Sequence, residues 1–287
     1  MEDLIKRIQS SLPEFSKGQK LIARYITENY DKAAFMTASK LGATVGVSES
    51  TVVRFAAELG YEGYPKLQKT LQEMIRNRLT SVQRMEVTSD NLGNRDVLHM
   101  ALHSDIDKIK VTLDEIDKEM FGEAVEAILA ARKIYILGIR SSASLAGFLG
   151  FYFNLLFDNA HLVQTASVGE LFEQIFRVGE GDVVIGISFP RYSKRTVKAL
   201  QYAHAQNARI IAITDSSISP LVPLAHYVLL AKSGMTSFVD SLVAPLSVIN
   251  ALIAAIGMRK KDEMAQTFHA LEDIWEEYQV YEKTDNS

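Results

Sequence analysis

The chain has 287 residues, of which 47% are apolar and 23% are charged. This length predicts roughly two domains, and the composition excludes a disordered or fibrous protein and predicts globular cores. The absence of cysteine excludes disulfide frameworks and thiolate metal sites, and it is typical of a reducing, cytoplasmic compartment.

Two segments bear on membrane insertion. The N-terminal residues have acidic groups before the first basic ones and no long apolar run, so they do not predict a secretory signal. The apolar run 143–157 falls short of the roughly 20 residues that span a bilayer, and it contains Asn154. We therefore expect a buried core helix there and no membrane contact.

The formal net charge of −4 is unevenly distributed along the chain. Residues 1–80 hold twelve Lys and Arg against nine Asp and Glu, whereas the remainder holds 19 basic and 26 acidic residues. A mildly basic N-terminal part on an acidic body predicts that only the first part meets nucleic-acid phosphates.

The first part of the chain predicts short helices with defined ends. A capping-box pattern at 16–19 begins one helix, and another is expected from about Tyr64 into the 76–84 region. Between them, Thr37 begins a helix that Gly46 ends, and Ser48 caps the next one, which Gly60 ends. Two short helices joined by a tight turn are typical of a helix-turn-helix that reads DNA.

The second of these helices carries small polar side chains and an arginine off its apolar stripe. Serine and threonine hydroxyls can bond phosphates or base edges, and Arg54 can address guanine bidentately in the major groove. The alternative is a three-helix unit with an ordinary solvated face. The residues expected to contact operator DNA are Ser48, Ser50, Thr51 and Arg54.

Beyond residue 86 the pattern changes twice. Turn-forming residues at 87–95 predict a linker, and helices are expected from about 96 to 131. Short apolar runs then alternate with helical pattern, at 133–138, 161–165, 182–187, 209–214 and 226–230. We predict an all-α helix-turn-helix domain followed by an α/β domain with a doubly wound parallel sheet of about five strands.

The predicted limits of these parts are residues 1–85 for the helix-turn-helix domain and 86–109 for a linker and connecting helix. The α/β domain is expected at 110–287, and it includes a C-terminal helix over about Lys261 to Tyr281.

Two strand-end loops carry groups suited to an anion. Ligands of open parallel sheets collect at the carboxyl ends of strands, beside helix N-termini whose amides favour negative charge. Hydroxyls and arginines there can hold a phosphate, although the serines can also serve as helix caps alone. The residues in question are Arg140, Ser141 and Ser142 after the first strand and Ser188, Arg191 and Ser193 after the third.

Cofactor, catalytic and metal sites are not expected. Neither a Gly-x-Gly-x-x-Gly nor a Walker-type loop follows a strand. Glu170 lies at the start of the helix after the second strand, where a carboxylate complements the helix dipole. We also count Glu170 among the residues expected to contact the phosphate-containing ligand. His99 and His103 share a helix face, but no third ligand accompanies them.

Both halves of the sequence resemble the RpiR-like (MurR/RpiR) family of bacterial transcription regulators. The motifs that carry the resemblance are Gly-Val-Ser-Glu-Ser-Thr-Val-Val-Arg-Phe at 46–55, Leu-Gly-Tyr-Glu-Gly-Tyr at 59–64, Ile-Tyr-Ile-Leu-Gly at 134–138, Ile-Ser-Phe-Pro-Arg-Tyr-Ser at 187–193 and Asp-Ser-Leu-Val-Ala-Pro-Leu-Ser at 240–247. The second half is similar to a sugar isomerase (SIS) domain.

The resemblance implies a regulator of sugar or aminosugar metabolism, not an enzyme. It implies a homodimer or homotetramer whose SIS domains sense a phosphosugar and thereby alter affinity for operator DNA. The chain departs from the usual SIS pattern where Arg140 replaces a glycine and where Pro190 and Arg191 replace a serine and a glycine. These departures leave a retuned pocket or no phosphosugar site as alternatives.

Two other classes of function stay open. One is a sugar-phosphate isomerase or deaminase with an accessory helical domain, and the other is an SIS dimerisation module without a ligand.

Overall fold

The protein is described by a computed structural model covering residues 2–76, 80, 82–85, 96–164, 167–235 and 239–281. Contacts between residues divide the chain into a first unit, Met1–Arg95, and a second unit, Asp96–Ser287. The expected linker at 87–95 lies outside the described residues. The helix Val97–Glu115 belongs to the second unit and continues across residue 110, where the α/β domain was expected to begin.

The first unit is helical. Its helices are α1 (Glu2–Ser11), α2 (Lys17–Glu28), α3 (Tyr30–Ala33), α4 (Ala38–Val45), α5 (Glu49–Glu58) and α6 (Tyr64–Arg76). The helix expected from Tyr64 is described as far as Arg76, and residues 82–85 are again helical.

A capping box begins α2, as its sequence predicts. The Ser16 hydroxyl accepts the Gln19 amide N–H at 3.4 Å, and Gln19 Oε1 accepts the Ser16 N–H at 2.9 Å. The same side chain donates from Nε2 to Glu58 Oε2 at 2.9 Å. One residue therefore both caps α2 and ties its beginning to the end of α5.

The apolar stripes of the helices meet in one core. Fully burying an aliphatic or aromatic side chain stabilises a fold by about 1.5–3 kcal/mol relative to leaving it exposed. Side chains without solvent exposure come from α2, α4, α5 and α6 and include Ile22, Ile26, Leu41, Val52, Phe55, Leu67 and Leu71. This core holds α5 in place with its polar side outward.

Side chains of α6 also hold the turn between α3 and α4. The Tyr64 hydroxyl donates to the Met36 carbonyl at 2.8 Å, and Gln68 Nε2 donates to the same oxygen at 2.9 Å. Gln72 Nε2 donates to the Ala34 carbonyl at 3.0 Å. Burial raises the pKa of Tyr64 above its ordinary value, because it disfavours the charged phenolate.

Replacing Tyr64 by phenylalanine is expected to lower the free energy of unfolding of the first unit by about 1 kcal/mol, the usual net value of one hydrogen bond. The Met36 carbonyl keeps Gln68 as a donor in this variant. Adding Gln68→Ala is expected to cost more than the two single changes summed, because the carbonyl then loses both donors. Tyr61→Phe is the control, since its ring keeps its contact with Arg7. Urea unfolding of the four variants measures this, and simple additivity would contradict it.

The second unit is an α/β domain. Its elements are α7 (Val97–Glu115), α8 (Lys118–Leu129), β1 (Ile134–Gly138), α9 (Ser142–Leu156), β2 (Ala160–Val163), α10 (Val168–Ile175), β3 (Val183–Ile187), α11 (Lys194–Ala205), β4 (Arg209–Thr214), β5 (Tyr227–Leu230), β6 (Gly234–Met235), β7 (Asp240–Ser241), α12 (Val243–Arg259) and α13 (Lys261–Glu277). A short 3-10 helix, Val222–Leu224, precedes β5.

The main sheet has five parallel strands in the order β2-β1-β3-β4-β5, which confirms the predicted fold class. Strand β1 pairs with β2 on one side and with β3 on the other, so the strand order reverses between β1 and β3. Strands β6 and β7 form a separate antiparallel pair.

Helices cover both faces of this sheet, and successive side chains of a strand therefore pack into two different cores. Ile134 and Ile136 of β1 pack with α8, α9 and α12, whereas Tyr135 and Leu137 pack with α10 and α11. Burial on both faces explains why the strands read as nearly continuous apolar runs.

Within the described residues, no single helix has both the length and the apolar character of a membrane span. The pair α12 and α13 meets these two criteria only when joined, and the two helices are bent by 98° relative to each other. Helix α12 buries Ala244, Val248, Ile249, Leu252 and Ile256 in the second unit.

The helices expected over 96–131 are α7 and α8. Ile116 between them is extended, and the Asp117 carboxylate caps α8 through the N–H groups of residues 119 and 120. Two element boundaries differ from the prediction. Strand β2 ends at Val163, the last of its residues that has a partner on β1, whereas the predicted run was 161–165, of which residue 165 lies outside the described residues. The C-terminal helix ends at Glu277 and not at Tyr281, because Gln279 adopts a left-handed conformation.

Candidate functional sites

The helix-turn-helix of the first unit has the local geometry that its sequence predicts. Thr37 caps α4 by accepting the Lys40 N–H at 3.2 Å, and Ser48 caps α5 by accepting the Thr51 N–H at 3.3 Å. Between the two helices Gly46 has φ 76°, a left-handed conformation that glycine adopts without steric cost. The turn therefore depends on two caps and one glycine.

The four residues expected to contact DNA lie together at the N-terminal end of α5. Ser48, Ser50 and Arg54 are exposed and Thr51 is half-buried. The Ser48 Oγ lies 2.9 Å from both Ser50 Oγ and Thr51 Oγ1, and Arg54 Nε donates to the Ser50 carbonyl at 3.3 Å. That bond uses one of the five N–H donors of the guanidinium.

The carboxyl ends of β1 and β3 form the second candidate site. Gly138, the last residue of β1, is paired with Ile187, the last residue of β3. The loops that follow both strands therefore leave the sheet side by side, where the strand order reverses. Ligands of doubly wound sheets bind in the crevice at such a point.

The first of these loops passes very close to the helix that follows it. A β-carbon on Gly138 would clash with the carbonyl oxygen of Ser142 and lie 2.9 Å from the Ala146 β-carbon. Arg140 is exposed and has φ 62°, Ser141 is exposed and makes no side-chain capping bond, and Ser142 is buried in the first turn of α9. The capping alternative thus does not describe Ser141.

The second loop is organised by its serines. The buried Ser188 hydroxyl accepts the Ser193 N–H at 3.2 Å, and the half-buried Ser193 hydroxyl accepts the Thr196 N–H at 3.4 Å. Ser193 therefore caps α11, as the alternative interpretation holds. An accepting hydroxyl still carries its own proton, so both serines keep the ability to donate to an anion. Arg191 is exposed in the same loop.

The end of β4 adds polar groups that the sequence analysis missed. The buried Thr214 hydroxyl donates to the Ser188 carbonyl at 2.9 Å and lies 2.8 Å from the Ser219 hydroxyl. The Tyr192 hydroxyl donates to Asp215 Oδ1 at 2.8 Å. An apolar run followed by Thr-Asp-Ser-Ser at 214–217 repeats the pattern of the other two loops and was the available signal.

Glu170 lies at the same edge of the sheet, in the first turn of α10. Its backbone N–H donates to the Ser167 hydroxyl at 3.2 Å, and its side chain is exposed. An acidic residue in this position also stabilises a helix by complementing its dipole.

A cleft of about 490 Å³ opens at the opposite edge of the sheet, where residues 157–159 lead into β2. Three of the charged side chains that line it, those of Arg259, Lys260 and Glu263, have partners in the fold. Lys260 Nζ donates to the Leu156 carbonyl at 2.7 Å and pairs with Glu263 at 2.8 Å, and Arg259 pairs with Glu126 at 2.6 Å. These bonds join α12 and α13 to their neighbours.

Comparisons with known protein families agree with both units. Residues 2–78 match the helix-turn-helix domain of the rpiR family, and residues 127–255 match the SIS domain. The chain belongs to the RpiR family of transcription regulators. It combines the family's DNA-reading domain with an SIS domain, in the order the sequence predicts.

Individual proteins are similar to this chain over its whole length or over its second unit. HexR, an HTH-type transcriptional regulator of Escherichia coli, is 25% identical over 94% of this chain and 95% of its own. The Vibrio vulnificus NanR protein, solved in complex with ManNAc-6P, is 22% identical, covers 95% of this chain and 98% of its own, and has a TM-score of 0.58. The sugar isomerase domain of an RpiR transcription factor from Sphaerobacter thermophilus is 30% identical, covers 60% of this chain and 96% of its own, and has a TM-score of 0.57.

Proposed function

We propose that this RpiR-family regulator reads operator DNA with α5 and senses a phosphosugar between the ends of β1 and β3, in the bacterial cytoplasm. The observation that carries the proposal is the junction of β1 and β3, where the strand order reverses and serine hydroxyls follow both strands. The NanR complex supports the choice of ligand class, since that protein has the same fold and holds ManNAc-6P.

The DNA contacts we propose are Ser48, Ser50, Thr51 and Arg54. Their cluster stands on the exposed side of a helix whose opposite side is fixed in the core by Val52. A homodimer or homotetramer would present such helices in pairs, with half-sites about 34 Å apart along one face of the DNA.

The phosphosugar contacts we propose come from residues that follow β1, β2 and β3 at the carboxyl edge of the sheet. The serines would donate their hydroxyl protons to the phosphate, the arginines would supply charge, and the glutamate would bond sugar hydroxyls. These residues are Arg140, Ser141, Ser142, Ser188, Arg191, Ser193 and Glu170. We expect no cofactor in addition to this ligand.

Ligand and DNA are coupled by linkage. A phosphosugar changes DNA affinity only if it binds more tightly to one arrangement of the assembled regulator than to the other. If affinity for the operator is the same with and without saturating ligand, the two sites are not coupled, and this part of the proposal is wrong even when both sites exist.

A thermal-shift screen of the full chain with phosphosugars tests the ligand class, and ManNAc-6P is the first probe. A ligand at about 100 times its Kd adds about 2.7 kcal/mol of stability, and each kcal/mol raises Tm by about 2–4 °C for a domain of this size. We therefore expect a rise of several degrees. The parent sugars and inorganic phosphate are the matched ligands for the sugar and phosphate contributions.

Ser188→Ala and Ser193→Ala are expected to abolish this rise. Thr37→Ala is the control, because it also removes an N-cap, at a cost of about 1 kcal/mol, but in the first unit. A panel of hexose, aminosugar and pentose phosphates that leaves Tm unchanged would favour the SIS dimerisation module without a ligand.

We further propose that the protein does not turn over its ligand. Its relatives are named transcriptional regulators. Acid–base isomerisation needs a carboxylate and a second acid–base group poised at the sugar, and Glu170 is the only carboxylate or histidine among the residues we assign to the ligand. Product formed on incubation with hexose or pentose phosphates would favour the isomerase alternative.

A further inference from the structure

Two histidines on the surface of α7 converge, and neither is among the residues assigned to the two sites described above. His99 and His103 are one helical turn apart and exposed. Their Nε2 atoms are 3.0 Å apart and their ring centroids 4.1 Å apart. Residues at i and i+4 share a helix face, so a continuous helix holds this pair in register.

The separation of the two nitrogens fits adjacent ligands of one metal ion. Imidazole nitrogens bind divalent transition ions at about 2.0–2.1 Å, so two nitrogens 3.0 Å apart subtend an angle of roughly 95° at the ion. This angle is that of neighbouring positions in square-planar or octahedral coordination, the geometry that Cu²⁺ and Ni²⁺ prefer. Tetrahedral Zn²⁺ would require the nitrogens to move apart.

We propose that His99 and His103 form a two-nitrogen binding site for a divalent transition ion of the copper and nickel type. In the absence of metal, a single proton shared between the two nitrogens accounts for the same distance. When the ion binds, the ring that donated this proton carries it on Nδ1 instead, so that both Nε2 lone pairs can coordinate. Among the described residues no group of three or more His, Asp or Glu side chains could hold a metal, so the remaining positions belong to water or another molecule.

A second pair of neighbouring histidines in the second unit, His204 and His226, differs because each ring contacts the protein backbone. His204 and His226 have ring centroids 5.8 Å apart, and each Nδ1 contacts the backbone: that of His204 lies 3.1 Å from the Leu224 carbonyl, and that of His226 accepts the Ile210 N–H at 3.0 Å. Their rings are oriented by the fold. The nitrogens of His99 and His103 face each other instead.

Isothermal titration of the untagged full chain with NiCl₂ and CuCl₂ at pH 7.5 tests the site. We expect one ion per chain, with Cu²⁺ bound more tightly than Ni²⁺ and Mn²⁺ bound least. His99→Gln with His103→Gln is expected to weaken binding at least about tenfold, since even groups that only orient a metal ligand are worth about 10–100-fold.

Cu²⁺ electron paramagnetic resonance supplies a second readout, with coupling to two nitrogens in the parent protein. His269→Gln, an exposed histidine on α13, is the matched control and should leave both the affinity and the spectrum unchanged. Both altered side chains of the double variant are exposed, so circular dichroism should show an unchanged fold. Equal Ni²⁺ affinity in the parent and the double variant, or a spectrum without two-nitrogen coupling, would overturn the proposal.

Discussion

Replacing Arg54 by alanine is expected to weaken binding to the preferred DNA sequence by about 1–3 kcal/mol for each recognition helix and to relax the base preference at one position. The exposed Arg54 bonds the Ser50 carbonyl through Nε, and the Ser50 hydroxyl lies 2.9 Å from the Ser48 hydroxyl. A bidentate contact with guanine is the strongest contact this cluster can make. Val52 and Phe55 on the opposite side stay buried, so the fold should be unaffected.

The measurement is fluorescence anisotropy with a DNA sequence that the parent protein selects from a random pool, at two salt concentrations. Arg54→Lys is the matched control, since it keeps the charge but loses the planar fork. If Arg54 reads a base, the lysine variant should lose specificity much as the alanine variant does. If lysine restores full affinity and only the salt dependence changes with alanine, Arg54 contacts a phosphate instead.

Replacing Gly138 by alanine is expected to destabilise the second unit by about 3 kcal/mol and to displace the loop that carries Arg140 and Ser141. The added β-carbon would meet backbone atoms of Ser142, which belong to the first turn of α9 and cannot rotate away. The change should therefore also weaken any phosphosugar response.

Gly147→Ala is the matched control for this prediction. Gly147 lies within α9, and a β-carbon there has no atom within 4 Å, so alanine should stabilise the helix by about 0.5–1 kcal/mol. The only tryptophan of the chain, Trp275, lies in α13, so its fluorescence in a urea titration reports on the second unit. Similar midpoints for both variants would show that β1 and α9 do not approach closely at this point.

Much of the fold could be predicted because its signals are local. The capping residues Thr37 and Ser48 and the glycine at 46 act within one turn of the chain, and each has the predicted role. The five apolar runs predict a parallel sheet because strands buried on both faces have no polar side. Strand β2 was less sharply predicted, since His161 on this edge strand is exposed and interrupts the apolar run.

The candidate sites were predictable to different degrees for the same reason. The four residues proposed to contact DNA lie within seven consecutive positions, 48–54, at the beginning of α5, so a local pattern contains all of them. The bonds from Tyr192 to Asp215 and from Thr214 to Ser188 join residues more than 20 positions apart. They exist because β3 and β4 are neighbours in the sheet, and strand order cannot be read from any single segment.

The contacts that hold α7 form late during synthesis of the chain on the ribosome. The Thr112 hydroxyl of this helix accepts the Lys232 N–H at 2.9 Å, and Glu115 pairs with the same residue at 2.5 Å. The first helix of the second unit is thus held by a residue that is synthesised 120 positions later. During translation the first unit can emerge from the ribosome and fold before the residue that holds α7 has been synthesised. A nascent chain can therefore contain a folded DNA-binding unit before its second unit is complete.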